Sequence, residues 1–182
     1  PTRRSSDLAF ENRAAQMGID IMNPISTVVL DINRDGKMDI LTAQSQIRDE
    51  SFYPKIKLFE NKIQTNGRGV RLFLRGDKSN FHGLNATITI RVEKEGRILN
   101  RLQNVAYSYG ALPPQNEEGV HFGIAEGERV DSVIVRWPYS NAPNNSRTAM
   151  EKIYKLPNEF SGVLSMTLCE NGNMLVGKRN CL

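Results

Sequence analysis

The sequence has 182 residues, of which 24 are Lys or Arg and 20 are Asp or Glu, so its formal net charge is +4. This length allows one domain or two small ones. The basic residues are scattered among acidic ones, which argues against nucleic-acid binding. No apolar run approaches the roughly 20 residues that a membrane-spanning helix needs. Val, Ile and Thr recur in short alternating runs separated by Gly, Asn and Pro, a pattern that predicts a mainly β fold.

The first eight residues, Pro1 to Leu8, can be encoded by the nucleotide sequence of a common short-read sequencing adapter. We therefore interpret residues 1–8 as a sequencing-adapter artefact on a gene fragment; a natural basic tail is the alternative. If the segment is an artefact, the lack of a signal peptide carries no information about secretion.

The strand-like runs 25–30 and 39–43 flank an acidic loop in which oxygen-bearing side chains recur at every second position, with one skip after Gly36. Ca²⁺ prefers six to eight oxygen ligands. An EF-hand would need a bidentate Glu at its twelfth position, which is Thr42 here. The pattern predicts a strand–loop–strand calcium site, and the alternative is a metal-free turn rich in Asp, Asn and Gly. The predicted ligands are Asp31, Asn33, Asp35, the backbone carbonyl of Lys37, and Asp39.

Residues 9–66 resemble one FG-GAP/VCBS-type repeat. Residues 55–59 predict a third strand. The resemblance rests on Phe10, Ala15 and Gly18, on the acidic loop with its flanking strands, and on Leu58-Phe59-Glu60-Asn61. Such repeats form blades of β-propellers and carry calcium in this loop, so the resemblance implies a partial propeller blade with Ca²⁺ as a structural cofactor. One blade cannot bury both of its faces alone, and we therefore expect missing upstream blades of the same chain as its partners.

A polar stretch at residues 60–69 contains Asn66-Gly67 and predicts a domain boundary. Short strand-like runs follow at 70–74, 85–92, 97–105, 120–124 and 129–137. Five or more short strands with Gly, Asn and Pro turns predict a small antiparallel β-sandwich or an open barrel.

Residues 67–140 resemble the ASPIC/UnbV domain, which is found after FG-GAP repeats in cartilage acidic protein and in bacterial secreted proteins. The matching motifs include Leu72-Phe73-Leu74-Arg75-Gly76, Tyr109-Gly110 and the structural residues His121, Phe122, Gly123, Trp137 and Pro138. Asn85 stands where the family usually has Gly. Asn tolerates a left-handed backbone better than other non-glycine residues, so the turn is expected to survive.

Residues 141–182 predict C-terminal strands. Residues 148–156 fit either a strand or a short helix, whereas Asn171-Gly172 predicts a hairpin between 161–170 and 174–176. Cys169 precedes that turn and Cys181 follows it. In an extracellular protein they are candidates for a disulfide, and the alternative is two free thiols.

The sequence contains no recognisable catalytic constellation, so we predict no enzymatic activity for this fragment. His82 has no nearby Ser, Cys or carboxylate at a motif spacing, and His121 fits a packed histidine better than a catalytic one. Ser108, Ser132 and Ser165 lack the glycine frame of a nucleophile elbow.

The resemblances imply a fragment of an extracellular or cell-surface calcium-binding adhesion or interaction protein, whose ligand is a protein or a glycan. One alternative is an accessory, non-catalytic component of a bacterial biosynthetic or enzyme system. Another is a glycan-binding module, for which Tyr107, Tyr109 and Tyr139 are the candidate platform residues.

Overall fold

The computed structural model describes residues 11–47, 49–106, 117–138 and 150–181. The interpretation of residues 1–8 lies outside these ranges, and so do Tyr107, Tyr109 and Tyr139. Within them the chain is all-β: the strands are β1 (Pro24–Leu30), β2 (Asp39–Gln44), β3 (Lys55–Phe59), β4 (Arg68–Arg75), β5 (Thr87–Lys94), β6 (Arg97–Asn104), β7 (Val120–Ile124), β8 (Arg129–Trp137), β9 (Met150–Tyr154), β10 (Val163–Cys169) and β11 (Met174–Val176). None of the described ranges contains a helix long and apolar enough to cross a membrane.

The first three strands form an antiparallel sheet in the order β1-β2-β3, which we call the N-terminal sheet. Several of its apolar side chains remain in solvent: Ile25 and Val29 of β1 are 40% and 43% exposed, and Ile56 and Leu58 of β3 are 73% and 46% exposed. The strand order fits part of a propeller blade, but three strands do not establish one, and the blade stays a prediction.

Two four-stranded sheets form a sandwich-like arrangement without closing into a barrel in the described ranges. The β4 sheet has the order β11-β10-β4-β7, and the β5 sheet has the order β6-β5-β8-β9. Strands β10 and β4 run parallel, whereas the sequence predicted antiparallel pairing throughout. The difference arises because β10 is paired with a strand that lies far upstream, so no hairpin fixes its direction.

The core lies between these two sheets and follows their period-two alternation. On β4, Val70, Leu72 and Leu74 point into the core, while Arg71 and Phe73 lie on the outer face. On β8, Trp137 is fully buried at the end of the strand. The outer face of the β4 sheet therefore carries polar side chains and contacts the N-terminal segment.

Polar side chains close the sandwich where the edge strands β6 and β7 face each other. Arg101 of β6 donates to the carbonyl of Gly123 and binds the Glu128 carboxylate at 2.5 Å, and Gln103 Nε2 donates to the carbonyl of His121 at 2.7 Å. Because β7 has no neighbouring strand on this side, these donors satisfy carbonyls that a further strand would otherwise bind.

Candidate functional site

The acidic loop joins β1 to β2, and its two end carboxylates are buried. Asp31 is 4% exposed, and its two oxygens accept hydrogen bonds from the backbone N–H groups of Asp35 and Gly36, each at 3.0 Å. Asp39 is 1% exposed and accepts from the N–H of Ile32 at 3.0 Å and of Asn61 at 2.8 Å. These hydrogen bonds hold the loop backbone close to both carboxylates.

The middle of the loop is exposed, and its residues form hydrogen bonds with one another. The side-chain oxygen of Asn33 accepts from the N–H of Asp35 at 3.0 Å, and Asp35 accepts from the N–H of Lys37 at 2.9 Å. The Lys37 ammonium lies 3.6 Å from the Asp35 carboxylate. The hydrogen bond from the Lys37 backbone is the main reason that the pKa of Asp35 is below its ordinary value.

The donor chemistry of this loop suits a hard cation. Asp31 and Asp39 are buried carboxylates, and the only ion pair to a loop carboxylate within the described ranges is Lys37 with Asp35. Buried carboxylates without a cationic partner are costly, and a bound Ca²⁺ would supply that charge. As the described residues stand, no three His, Cys, Asp or Glu side chains form a group that could hold a metal. The calcium site therefore stays a prediction.

The loop lies against the outer face of the β4 sheet through Gly36. Gly36 has a φ of +85°, and a Cβ there would overlap Cγ2 of Val163 on β10. On the other side of the contact, a Cβ at Gly69 of β4 would lie 3.5 Å from the carbonyl oxygen of Gly36. The lack of a side chain at Gly36 thus permits the loop to approach the sandwich.

Beside this contact, Glu117 joins Arg71 to His121. The Arg71 guanidinium lies 2.9 Å from the Glu117 carboxylate, which also contacts the His121 ring. Burial is the main cause of the lowered pKa of His121, and the Glu117 charge acts in the opposite direction. Glu117 therefore links β4, through Arg71, to β7, through His121.

A second carboxylate, Glu118, contacts three basic side chains. It lies 2.6 Å from Arg75, 2.5 Å from Lys178 and 3.3 Å from His82. Burial raises the pKa of Glu118, but the hydrogen bonds from Lys178 and Arg75 outweigh it and bring the pKa down to about 2. The network ties the segment before β7 to β4 and to the chain after β11.

The predicted motif residues have structural positions. Phe122 is in the core, Gly123 pairs with Gly69 across β7 and β4, and Trp137 is fully buried. Pro138 follows β8, and its carbonyl accepts a hydrogen bond from the hydroxyl of Ser79 at 2.9 Å. The motif residues therefore lie in the core of the sandwich, at a strand pairing and at a strand end.

Residues 76–159 match the family model described as ASPIC and UnbV. These residues form an ASPIC/UnbV domain. The family is a non-catalytic domain family, and the match supports the resemblance found in the second half of the sequence. It leaves the FG-GAP/VCBS repeat without independent support. The comparisons with curated proteins and with solved structures found no match to this chain.

Strands on either side of the matched range form the centre of the β4 sheet. Strand β4 ends directly before the match and β10 follows it, and the two pair over seven positions from Val163–Gly69 to Cys169–Arg75. Glu170 and the ion pairs of Arg71 with Glu117 and of Lys178 with Glu118 were not predicted from the sequence. The paired residues lie far apart in the sequence, and no local motif marks them.

Cys169 and Cys181 form a disulfide in the structure, with their Cα atoms 5.9 Å apart. That distance is within the usual range for a disulfide. Nearby, the hydroxyl of Tyr154 donates to the carbonyl of Cys169 at 2.6 Å. The bond fixes the chain after β11 to the end of β10.

Proposed function

We propose that this chain is part of an extracellular or cell-surface calcium-binding interaction protein in which Ca²⁺ is structural. The observation that carries the proposal is the pair of buried loop carboxylates, Asp31 and Asp39, which have no cationic partner in the described residues. Asp31, Asn33, Asp35, the Lys37 carbonyl and Asp39 would hold the ion. Ca²⁺ would offset the repulsion among three carboxylates and stiffen the loop.

The position of the loop suggests what the ion would stabilise. Gly36 contacts Val163 and Gly69, so the loop is where the N-terminal sheet meets the β4 sheet. A ligand that binds only the folded state stabilises it by mass action. Calcium in the loop is therefore expected to stabilise this junction as well as the hairpin of β1 and β2.

The exposed apolar residues of the N-terminal sheet support the proposal that neighbouring propeller blades cover it. Ile56 is 73% exposed and Ile25 is 40% exposed. A lone blade leaves such faces in water, whereas stacked neighbours bury them. The disulfide supports an oxidising compartment such as the cell exterior.

Calorimetric titration of CaCl₂ into the metal-stripped chain tests the proposal. We expect saturable binding and a higher unfolding temperature with Ca²⁺, and loss of both in the Asp31→Asn/Asp35→Asn variant. Asp20→Asn removes one carboxylate outside the loop and should bind as the wild type does. Equal binding heats in the wild type and the double variant would contradict the site.

A further inference from the structure

A cavity of about 500 Å³ lies between the acidic loop and the outer face of the β4 sheet. Its cationic side chains come from three separate parts of the chain: Arg34 of the loop, Arg71 of β4, and Lys178 after β11. Ser165 of β10 adds a hydroxyl group, and Asp31 is the single acidic residue of the lining. Arg71 is paired with Glu117 and Lys178 with Glu118, so Arg34 is the cation of the lining that has no ion-pair partner in the described ranges.

Asp31 is not paired with these cations in the described ranges. Its two oxygens accept the N–H groups of Asp35 and Gly36, and the residue is 4% exposed. Within those ranges it forms no ion pair with Arg34, Arg71 or Lys178.

Several donors at the cavity have no acceptor among the described residues. Arg71 uses Nη2 for Glu117 and for the carbonyl of Glu118, but no described group accepts from its Nη1. The Arg34 guanidinium has no hydrogen bond or ion pair with any described residue, and the same holds for the hydroxyl of Ser165. These donors are available to a ligand.

The surrounding contacts hold two of the cations in place. Phe73 lies beneath both, with the Arg71 guanidinium 5.0 Å and the Lys178 ammonium 6.0 Å from the centre of its ring. Lys178 is fixed further by Glu118 at 2.5 Å. Positioned cations lose less side-chain freedom when a ligand binds.

The chain segment that carries Lys178 is itself anchored on both sides. The N–H of Gly177 donates to the carbonyl of Ser165 at 2.8 Å, and the N–H of Arg179 donates to the hydroxyl of Thr167 at 3.0 Å. The disulfide of Cys181 then closes the segment onto β10. The cavity wall is therefore a built part of the fold.

We propose that this cavity binds a tetrahedral oxyanion, a sulfate or phosphate group, either as the free ion or as the end group of a larger molecule. Guanidinium groups donate in fixed directions to oxyanions, and such charge-assisted hydrogen bonds are the strong ones. The donors approach from the loop, from β4, from β10 and from the C-terminal segment. An anion with acceptors on all sides satisfies this set better than a planar carboxylate.

The test is a titration of the ¹⁵N-labelled chain followed by amide and guanidinium NMR shifts, in EDTA and at constant ionic strength maintained with NaCl. EDTA separates the result from calcium binding, so the two proposals fail independently. The probes are sodium sulfate, sodium phosphate, methyl sulfate and sodium acetate. We expect saturable shifts at residues 34, 165, 177 and 178 with sulfate or phosphate, and weaker binding of acetate.

Variants test the assignment. Arg34→Gln should weaken sulfate binding about tenfold and Ser165→Ala about threefold, because each removes one donor to the anion. Neither side chain bonds another described residue, so both variants should fold. Arg97→Gln removes an equal charge from β6 and should bind like the wild type.

The possible outcomes distinguish a free anion from an ester end group, and both of these from failure of the proposal. Binding of methyl sulfate as well as sulfate supports an ester end group, and binding of sulfate alone supports the free ion. Unsaturable shifts spread over the surface would overturn the site. So would equal weakening by Arg34→Gln and Arg97→Gln, or acetate binding as tightly as sulfate.

Discussion

Gly36 of the acidic loop and Val163 of β10 are in direct contact, and the contact leaves no room for a side chain at position 36. Gly36 also has a φ of +85°, a left-handed conformation that other residues adopt only at a cost. Two independent constraints thus act on one residue. One is the local turn of the acidic loop, and the other comes from Val163 of β10 beneath it.

Gly36→Ala is expected to lower the free energy of unfolding by about 2–4 kcal/mol, combining left-handed strain with overpacking against Val163. Gly127→Ala is the matched control, because Gly127 has a φ of +78° and nothing within 4 Å of an added Cβ. It should lose only about 1 kcal/mol. Chemical denaturation of both variants measures the difference.

Shortening Val163 separates the two constraints on Gly36. In the Gly36→Ala/Val163→Ala variant the overlap is removed, so the double variant should be more stable than the sum of the single changes by about 1 kcal/mol. Strict additivity would mean that the loop does not rest on β10 in solution.

Glu170 fixes the segment between β4 and β5. One of its oxygens accepts the backbone N–H groups of Asp77, Lys78 and Ser79 at 2.6, 2.7 and 2.9 Å, and the other accepts the Ser79 hydroxyl at 2.8 Å. Burial raises the pKa of Glu170, but these hydrogen bonds outweigh it, and the pKa is lower than usual. Glu170→Gln should therefore cost about 2 kcal/mol at pH 7.

The cost of Glu170→Gln should depend on pH. Since the folded-state pKa is lowered, the carboxylate stabilises the fold above the unfolded-state pKa of about 4.3, and this contribution is lost as pH falls through the folded-state pKa. Denaturation curves at pH 7 and at successively lower pH should bring variant and wild type together. Glu159→Gln, at an exposed position with no partner in the described residues, should show no such convergence. A constant difference would argue against the charge as the cause.

Features determined by neighbouring residues could be predicted from the sequence. The hairpin at Asn171-Gly172 and the strand bounds of β3, β7 and β8 follow from turn chemistry and alternation. Each of these features depends on a few adjacent residues, so the local sequence is enough to predict it.

Features determined by distant partners could not be predicted. The run 148–156 fitted a strand or a helix, and pairing with β8 makes Met150–Tyr154 a strand. The parallel pairing of β10 with β4 and the bonds from Glu170 to residues 77–79 join segments far apart in sequence. Local propensity is a weak guide when tertiary contacts decide.

Asn85 confirms one expectation drawn from the sequence, since its φ is +68°. Its N–H donates to the carbonyl of Val105 at 3.0 Å, which holds this conformation at the start of β5. Asn85→Gly should leave stability unchanged or raise it slightly, whereas Asn85→Val should cost about 1–2 kcal/mol because a β-branched residue is strained there. Asn100→Val, at an exposed position on β6, controls for the side-chain change. Equal denaturation midpoints for the two Val variants would contradict the assigned backbone strain.

The disulfide between Cys169 and Cys181 closes a short loop with a sequence separation of 12. By the chain-entropy model such a crosslink stabilises the fold by about 3 kcal/mol. Reduction with a phosphine should therefore lower the unfolding midpoint of the wild type, whereas Cys181→Ser should already be at the lower midpoint and should not respond to the reductant. Thiol titration of the denatured, unreduced chain should find no free thiol in the wild type and one in Cys181→Ser. Two free thiols in the wild type would mean that the bond does not form, and would also remove one support for an extracellular location.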